Sequence, residues 1–127
     1  MRRHATAGWT LIELLIVLVI IALLATIVIP HLSGTRDKAL VATMQTDLRN
    51  LLAQEEIWKL DSGSYATSLP AVVWSPSPGV SSPTITLTGD GWTATLGHVS
   101  SLKHCSIFVG STSLAPATKE GVAACAP

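Results

Sequence analysis

Gly8-Trp9-Thr10-Leu11-Ile12-Glu13 runs directly into an apolar stretch, Leu14 to Ile29, interrupted only by Thr26. The 19 residues from Leu11 to Ile29 fall within the roughly 17 to 25 that a helix needs to cross the hydrocarbon of a bilayer. Ahead of them stands a short basic leader, Met1-Arg2-Arg3-His4-Ala5-Thr6-Ala7. Its two arginines predict a cytoplasmic amino terminus with the bulk of the chain outside. Glu13 is the one charge near the apolar run apart from the leader. A carboxylate in a membrane helix costs about 2.5–3.5 kcal/mol at the centre and less near the end, so it is rarely kept without a partner. The plainer alternative is a single-pass anchor whose Glu13 lies shallow enough to reach the interface.

A secretory signal places its small-residue cleavage site after the apolar region and discards both. Here the small pair Ala7-Gly8 comes before it. Cutting after Gly8 removes eight residues and leaves the apolar helix at the new terminus, with Trp9 first and Glu13 fifth. This order of basic leader, Gly8, Trp9, Thr10, Leu11, Ile12, Glu13 and apolar helix resembles the type IV pilin and pseudopilin superfamily, specifically over Gly8 to Pro30 and more loosely to about Tyr65. The resemblance implies that a membrane prepilin peptidase cuts between Gly8 and Trp9 and methylates the Trp9 amine. It implies that Glu13 pairs with such an amine during assembly, and that Pro30 stands where family members commonly break the first helix. Trp9 departs from the phenylalanine or methionine most often found there. The implied partners are further copies of the chain in a homo-oligomeric filament, the prepilin peptidase, an inner-membrane assembly platform, and lipid before assembly. The implied route is a single-pass inner-membrane precursor, then an extracellular pilus or a periplasmic pseudopilus.

Lipid tails are as apolar as leucine, so hydrophobicity alone does not draw helices together in a bilayer. An ammonium offered by a neighbouring subunit would give Glu13 both attraction and register.

Beyond the apolar run, Pro30 removes a backbone donor and Gly34 weakens the helix further, predicting either a kink or local melting over residues 29–34 or a membrane helix that ends at Pro30 with a separate one starting at Ser33 or Thr35. Leu40, Met44, Leu48, Leu51 and Leu52 then recur at helical spacing, and Glu55 precedes Lys59 by four, a helix-supporting order. Ser62-Gly63-Ser64 supplies a stop after about Asp61. From Ser62 to Pro83 the chain is rich in Ser, Pro and Gly, a long connecting loop in which Trp74 is an anchor against the domain or against a neighbouring subunit. Thr84 to Thr88 alternates threonine with apolar residues, Gly89-Asp90-Gly91 is a turn, and Trp92 to Val99 completes a hairpin. His104 to Val109 gives a third strand and Val122 to Ala126 a short fourth, with Trp92 in the core. The expected fold is therefore α+β: a long amino-terminal helix, transmembrane in its first half, packed on an antiparallel sheet of three or four strands. The expected organisation is a leader at 1–8, an assembly helix at 9–30 and a globular domain at 31–127, comprising helix 31–61, loop 62–83 and sheet 84–127.

The chain has 127 residues with 8 basic and 8 acidic side chains; losing Arg2 and Arg3 leaves 6 against 8. A slightly acidic mature chain argues against a nucleic-acid face, which would be basic. Cys105 and Cys125 are the only cysteines and lie outside the membrane by the topology above. One disulfide is the economical reading, two free thiols the alternative. The resemblance points to the disulfide, since pilins carry one at a similar carboxy-terminal place.

Catalytic chemistry finds little support. His31, His98 and His104 are scattered, and there is no Cys-x-x-Cys pair and no phosphate-binding glycine loop. His98 and His104 could meet across a hairpin, though solvated strand histidines are far commoner than a metal site. Some pseudopilins hold calcium in a carboxy-terminal loop. Beyond Asp61 only Asp90 and Glu120 offer carboxylates here, so neither a metal nor another cofactor is expected. Three readings remain: a type IV pilus subunit serving attachment, twitching motility or DNA uptake; a pseudopilin of type II secretion; and a membrane-anchored binding domain that never polymerises.

Overall fold

A computed structural model describes residues 8–127; the leader, Met1 to Ala7, lies outside the described residues. The elements are α1 (Leu11–Ser62), β1 (Thr84–Leu87), β2 (Trp92–Gly97), β3 (His104–Val109) and β4 (Ala124–Ala126). The chain divides into two compact units, residues 1–36 and 37–127.

In the first unit the side chains from Leu14 to Ile29, Thr26 apart, are apolar all round the helix and almost all exposed. A helix with no polar face needs an apolar surrounding, either lipid or other helices. Among the described residues this is the one helix long and apolar enough to cross a membrane. Backbone around Pro30 and Gly34 stays helical, so the interruption expected over residues 29–34 does not take the form of melting, and no second helix starts after Pro30. The Thr26 hydroxyl donates to the Leu23 carbonyl at 2.7 Å.

The second unit holds the core. Met44, Leu48 and Leu51, spaced four and three apart, are fully buried on one stripe of α1 and pack with Ile85, Trp92, Ala94 and Ile107 of the sheet. Val41, Leu52, Tyr65 and Trp74 close the edges of this cluster, so Trp74 anchors the loop on its own domain. The sheet is an antiparallel meander in the order β1-β2-β3-β4. Trp92 pairs with Leu87 on one side and Val109 on the other, and Cys105 faces Cys125.

Both faces of the central strands are covered. Trp92, Ala94 and Leu96 point to the helix, as do Cys105 and Ile107. Side chains of opposite parity, Thr93, Ser106 and Phe108, are buried as well. The segment from Gly110 to Ala123 folds over them. Ser106 Oγ donates to the Leu114 carbonyl at 2.9 Å and accepts from Ala117 N–H at 3.1 Å, and Gly121 N–H donates to the Phe108 carbonyl at 2.9 Å.

Strand ends are shorter than the sequence predicts, each for a local reason. Thr88 leaves β1 because its N–H closes the turn onto the Gly91 carbonyl, at 2.9 Å. His98 forms an isolated bridge to Val80 instead of extending β2. Val122 donates to the Lys119 carbonyl at 3.2 Å, which delays β4 to Ala124. The Glu55–Lys59 pair does not form either. Glu55 is fully buried and accepts the Ala66 N–H at 3.0 Å, while Lys59 reaches the Tyr65 hydroxyl at 3.1 Å.

Candidate functional site

Gly8, Trp9 and Thr10 precede the helix in irregular backbone, and all three are exposed. Helix α1 starts at Leu11, so Thr10 is its cap. Thr10 N–H and Thr10 Oγ both donate to Glu13 Oε2, at 2.8 and 2.9 Å, and Glu13 N–H returns a bond to Thr10 Oγ at 3.3 Å. This reciprocal arrangement is a capping box, which satisfies donors that a helix start leaves open. Its carboxylate also lies in the first turn, where the helix dipole favours negative charge. Glu13 therefore has a partner within its own chain. Sequence reasoning missed Thr10, although Thr-x-x-Glu immediately before an apolar run is the signal for it.

At the far end of α1, Tyr65 gathers three contacts. Its hydroxyl donates to Glu56 Oε1 at 2.7 Å and accepts from Lys59 Nζ at 3.1 Å, while its ring meets Trp92 edge-on at 6.3 Å between centroids. Burial and the bond to Glu56 push the Tyr65 phenol above its usual range. The start of the connecting loop is thereby clamped to the helix. Further on, Asp47, also buried, accepts from Ser77 through both oxygens, N–H and hydroxyl each at 2.8 Å. Between these two ties a cavity of about 220 Å³ lies under the loop, lined by Leu51, Trp74, Pro76, Pro83 and Ile85 among others. No titratable side chain borders it.

The carboxy-terminal loop is closed by the bond between Cys105 and Cys125, a directly paired position of β3 and β4. Asp90 Oδ2 accepts the Ser111 N–H and Glu120 Oε1 the Gly110 N–H, each at 2.7 Å. Hydrogen bonds from Ser111, the hydroxyl first and the N–H second, hold the Asp90 carboxyl below its ordinary value. Both carboxylates that could have served a cation are thus engaged with backbone donors. Among the described residues no three His, Cys, Asp or Glu side chains converge as metal ligands. His98 and His104 do not form a pair: Gly97, not His98, stands opposite His104, and His98 Nδ1 accepts from the Ser100 N–H at 3.0 Å.

Comparison with known proteins points back to the amino-terminal segment. A sequence family described as the prokaryotic N-terminal methylation motif matches residues 3–29. The type II secretion system core protein G of Klebsiella michiganensis is 38% identical over 80 residues, covering 61% of this chain and 56% of that protein. Its namesake from Pseudomonas aeruginosa is 34% identical with the same coverage. The type IV wide pilus major component PilA4 of Thermus thermophilus is 38% identical over 66 residues, 52% of this chain and 50% of that one. The chain thus spans about half the length of the curated relatives it matches. A methylation motif opening an apolar helix, a four-stranded antiparallel sheet in the second unit, and these likenesses make the chain similar to type IV pilins and pseudopilins.

Proposed function

We propose that this chain is a structural subunit of a type IV pilus, inserted as a single-pass precursor and polymerised through α1 after processing. The observation that carries the reading is the junction itself: an exposed Gly8-Trp9 bond, a capped helix start with Glu13 in its first turn, and apolar side chains on every side from Leu14 to Ile29. Cleavage after Gly8 by a prepilin peptidase would turn the Trp9 amide into an amine, which the same enzyme methylates. A cation then lies within a turn of Glu13. In the membrane Glu13 is poorly solvated; packing among other α1 helices would give it the amine of a neighbouring subunit while the apolar surface passes from lipid to protein. Extraction from the bilayer then becomes tolerable. Pro30 and Gly34 would let the helix adjust locally as it packs. The subunit acts by assembly, with no reaction of its own, and meets the assembly platform at the inner membrane.

A second reading, a pseudopilin of type II secretion, is favoured by the relatives named core protein G. It uses the same processing and the same helix, and ends in a short periplasmic filament.

Intact-mass and amino-terminal analysis of protein sheared from native cells, beside the membrane fraction, tests these readings. An abundant sheared species beginning at methylated Trp9 supports the pilus. The processed form confined to the membrane fraction supports the pseudopilus. An uncut chain beginning at Met1 overturns both and leaves an anchored domain.

A further inference from the structure

The globular unit carries two exposed apolar patches at its two ends, one beside the half-buried Lys103 and the other beside the exposed Asp61. At one end the β2–β3 hairpin tip holds Val99 and Leu102 out in solvent, 84% and 97% exposed, with Lys103 next in sequence. At the other, Ile57, Leu60 and Asp61 share one face of α1 at i, i+3, i+4 spacing, Ile57 and Leu60 being 50% and 85% exposed. Local ties show that these are different ends. Val99 N–H donates to the Gly79 carbonyl at 2.9 Å, and nearby Ser77 is bound to Asp47 of α1. Lys59 and Tyr65, by contrast, border the β1–β2 turn from Leu87 to Gly91. From Asp47 to Leu60 the helix rises roughly 20 Å at about 1.5 Å per residue.

A single exposed leucine is ordinary on a protein surface. Two apolar side chains with a cation at one end, and two with an acid at the opposite end, form a complementary set. Lys59 and Glu56 are both engaged with Tyr65 and Asp90 with Ser111, which leaves Asp61 as the exposed acid of its end with no such tie among the described residues.

We infer that these patches bind one another between copies of the chain: the β2–β3 tip of one copy docks on the last turns of α1 in the next, Val99 and Leu102 against Ile57 and Leu60, Lys103 against Asp61. The two surfaces differ and lie at opposite ends, so the contact is heterologous. A repeated heterologous contact whose rotation does not close produces an open helical filament. The inference rests on the filament reading above and adds to it which surfaces of the globular unit meet.

The test is made on full-length chains in filaments sheared from cells. The double variant L60C and L102C should give a ladder of reducible multimers, because the two positions are too far apart to bridge within one chain. L60C with V72C, whose second site is 93% exposed in the connecting loop, should give none. Lys103→Glu should lower the sheared yield several-fold with membrane content unchanged, and adding Asp61→Lys should restore most of it, since a charge pair reversed on both sides recovers its attraction. The ladder together with the rescue supports the contact. Normal filaments without the L60C–L102C ladder, or with an equal L60C–V72C ladder, overturn it and leave the filament reading standing. Labelling of L102C by a bilayer-resident probe, with no ladder, also overturns it and assigns the tip to lipid. Parental cells that make no filament overturn the filament reading, and this inference falls with it.

Discussion

Thr10 and Glu13 satisfy each other across one turn, the threonine N–H and hydroxyl both donating to a single carboxylate oxygen at 2.8 and 2.9 Å. The carboxylate that the assembly reading assigns to a neighbour's amine is therefore already paired before any neighbour arrives. Two roles for Glu13 follow, one in the helix start and one between subunits, and they separate by mutation.

Thr10→Ala removes the cap and should cost the helix start about 0.5–2 kcal/mol. Faster amide exchange over Leu11 to Leu14 in detergent micelles checks this, with filament yield reduced only modestly. Glu13→Gln keeps an acceptor for Thr10 but removes the charge. It should abolish filaments while membrane insertion remains normal. Equal filament yields from the two variants would show that Glu13 serves only as a cap.

Gly91 sits where β2 begins, and a Cβ placed on it would fall on the Val109 carbonyl and the following peptide. The obstacle is backbone of the paired strand, which cannot swing aside as a side chain can. Gly91→Ala should therefore shift the β1–β2 turn against β3 and destabilise the domain by about 1–3 kcal/mol. Thermal unfolding of the solubilised chain measures it, and a change below about 0.5 kcal/mol, the level of an ordinary surface substitution, would contradict the geometry.

Much of this architecture is legible in sequence because it rests on short-range periodicity. The leucine stripe from Met44 to Leu51, the Thr-Ile alternation at 84–87 and Gly89-Asp90-Gly91 are local signals, and each became the element it announces. What escapes reading depends on distant segments. Glu55 looks like half of a surface ion pair with Lys59, yet Ala66, eleven residues on, folds over it and supplies its one hydrogen bond. Ser106 looks like a solvent-facing strand position, but the loop bearing Leu114 and Ala117 closes on that face. Asp47 has no local mark of burial, since its partner Ser77 lies thirty positions away. Thr10 is the exception, a local signal hidden by the louder one beside it.

The bond between Cys105 and Cys125 closes a separation of 20 residues. On the loop-entropy account it stabilises the domain by about 3 kcal/mol. Replacing both cysteines by serine should lower the unfolding free energy by about that amount and loosen the segment over Ser106 and Phe108, which limited proteolysis between Gly110 and Ala123 would reveal. Chelators should leave the same segment protected, because Asp90 and Glu120 hold it through backbone N–H groups.

Glu55 supplies a pH dependence whose sign follows from its surroundings. The carboxyl is fully buried, one oxygen accepts the Ala66 N–H, and no partner is found for the other. Burial raises its pKa above the ordinary 4.5, outweighing the bond from Ala66, and the nearby Glu56 pushes the same way. The folded chain then holds this proton more tightly than the unfolded chain does. Its contribution to stability is complete below 4.5 and is lost as pH rises through the raised value. Glu55→Gln keeps a carbonyl for Ala66 and abolishes the charge, and a buried neutral amide costs less than a buried anion. The variant should be more stable than the parent at pH 7 and should unfold at a midpoint that changes little above pH 4.5. Asp90, held low by Ser111, acts in the opposite sense: its contribution is present above its ordinary 3.8 and lost as pH falls further. Asp90→Asn should therefore lower stability above pH 3.8 and flatten its fall on the acid limb, so urea titrations of the two variants across pH 2 to 8 distinguish the groups. A Glu55→Gln chain less stable than the parent at neutral pH would mean that the carboxylate is ionised and paired in the folded state, reversing the assignment.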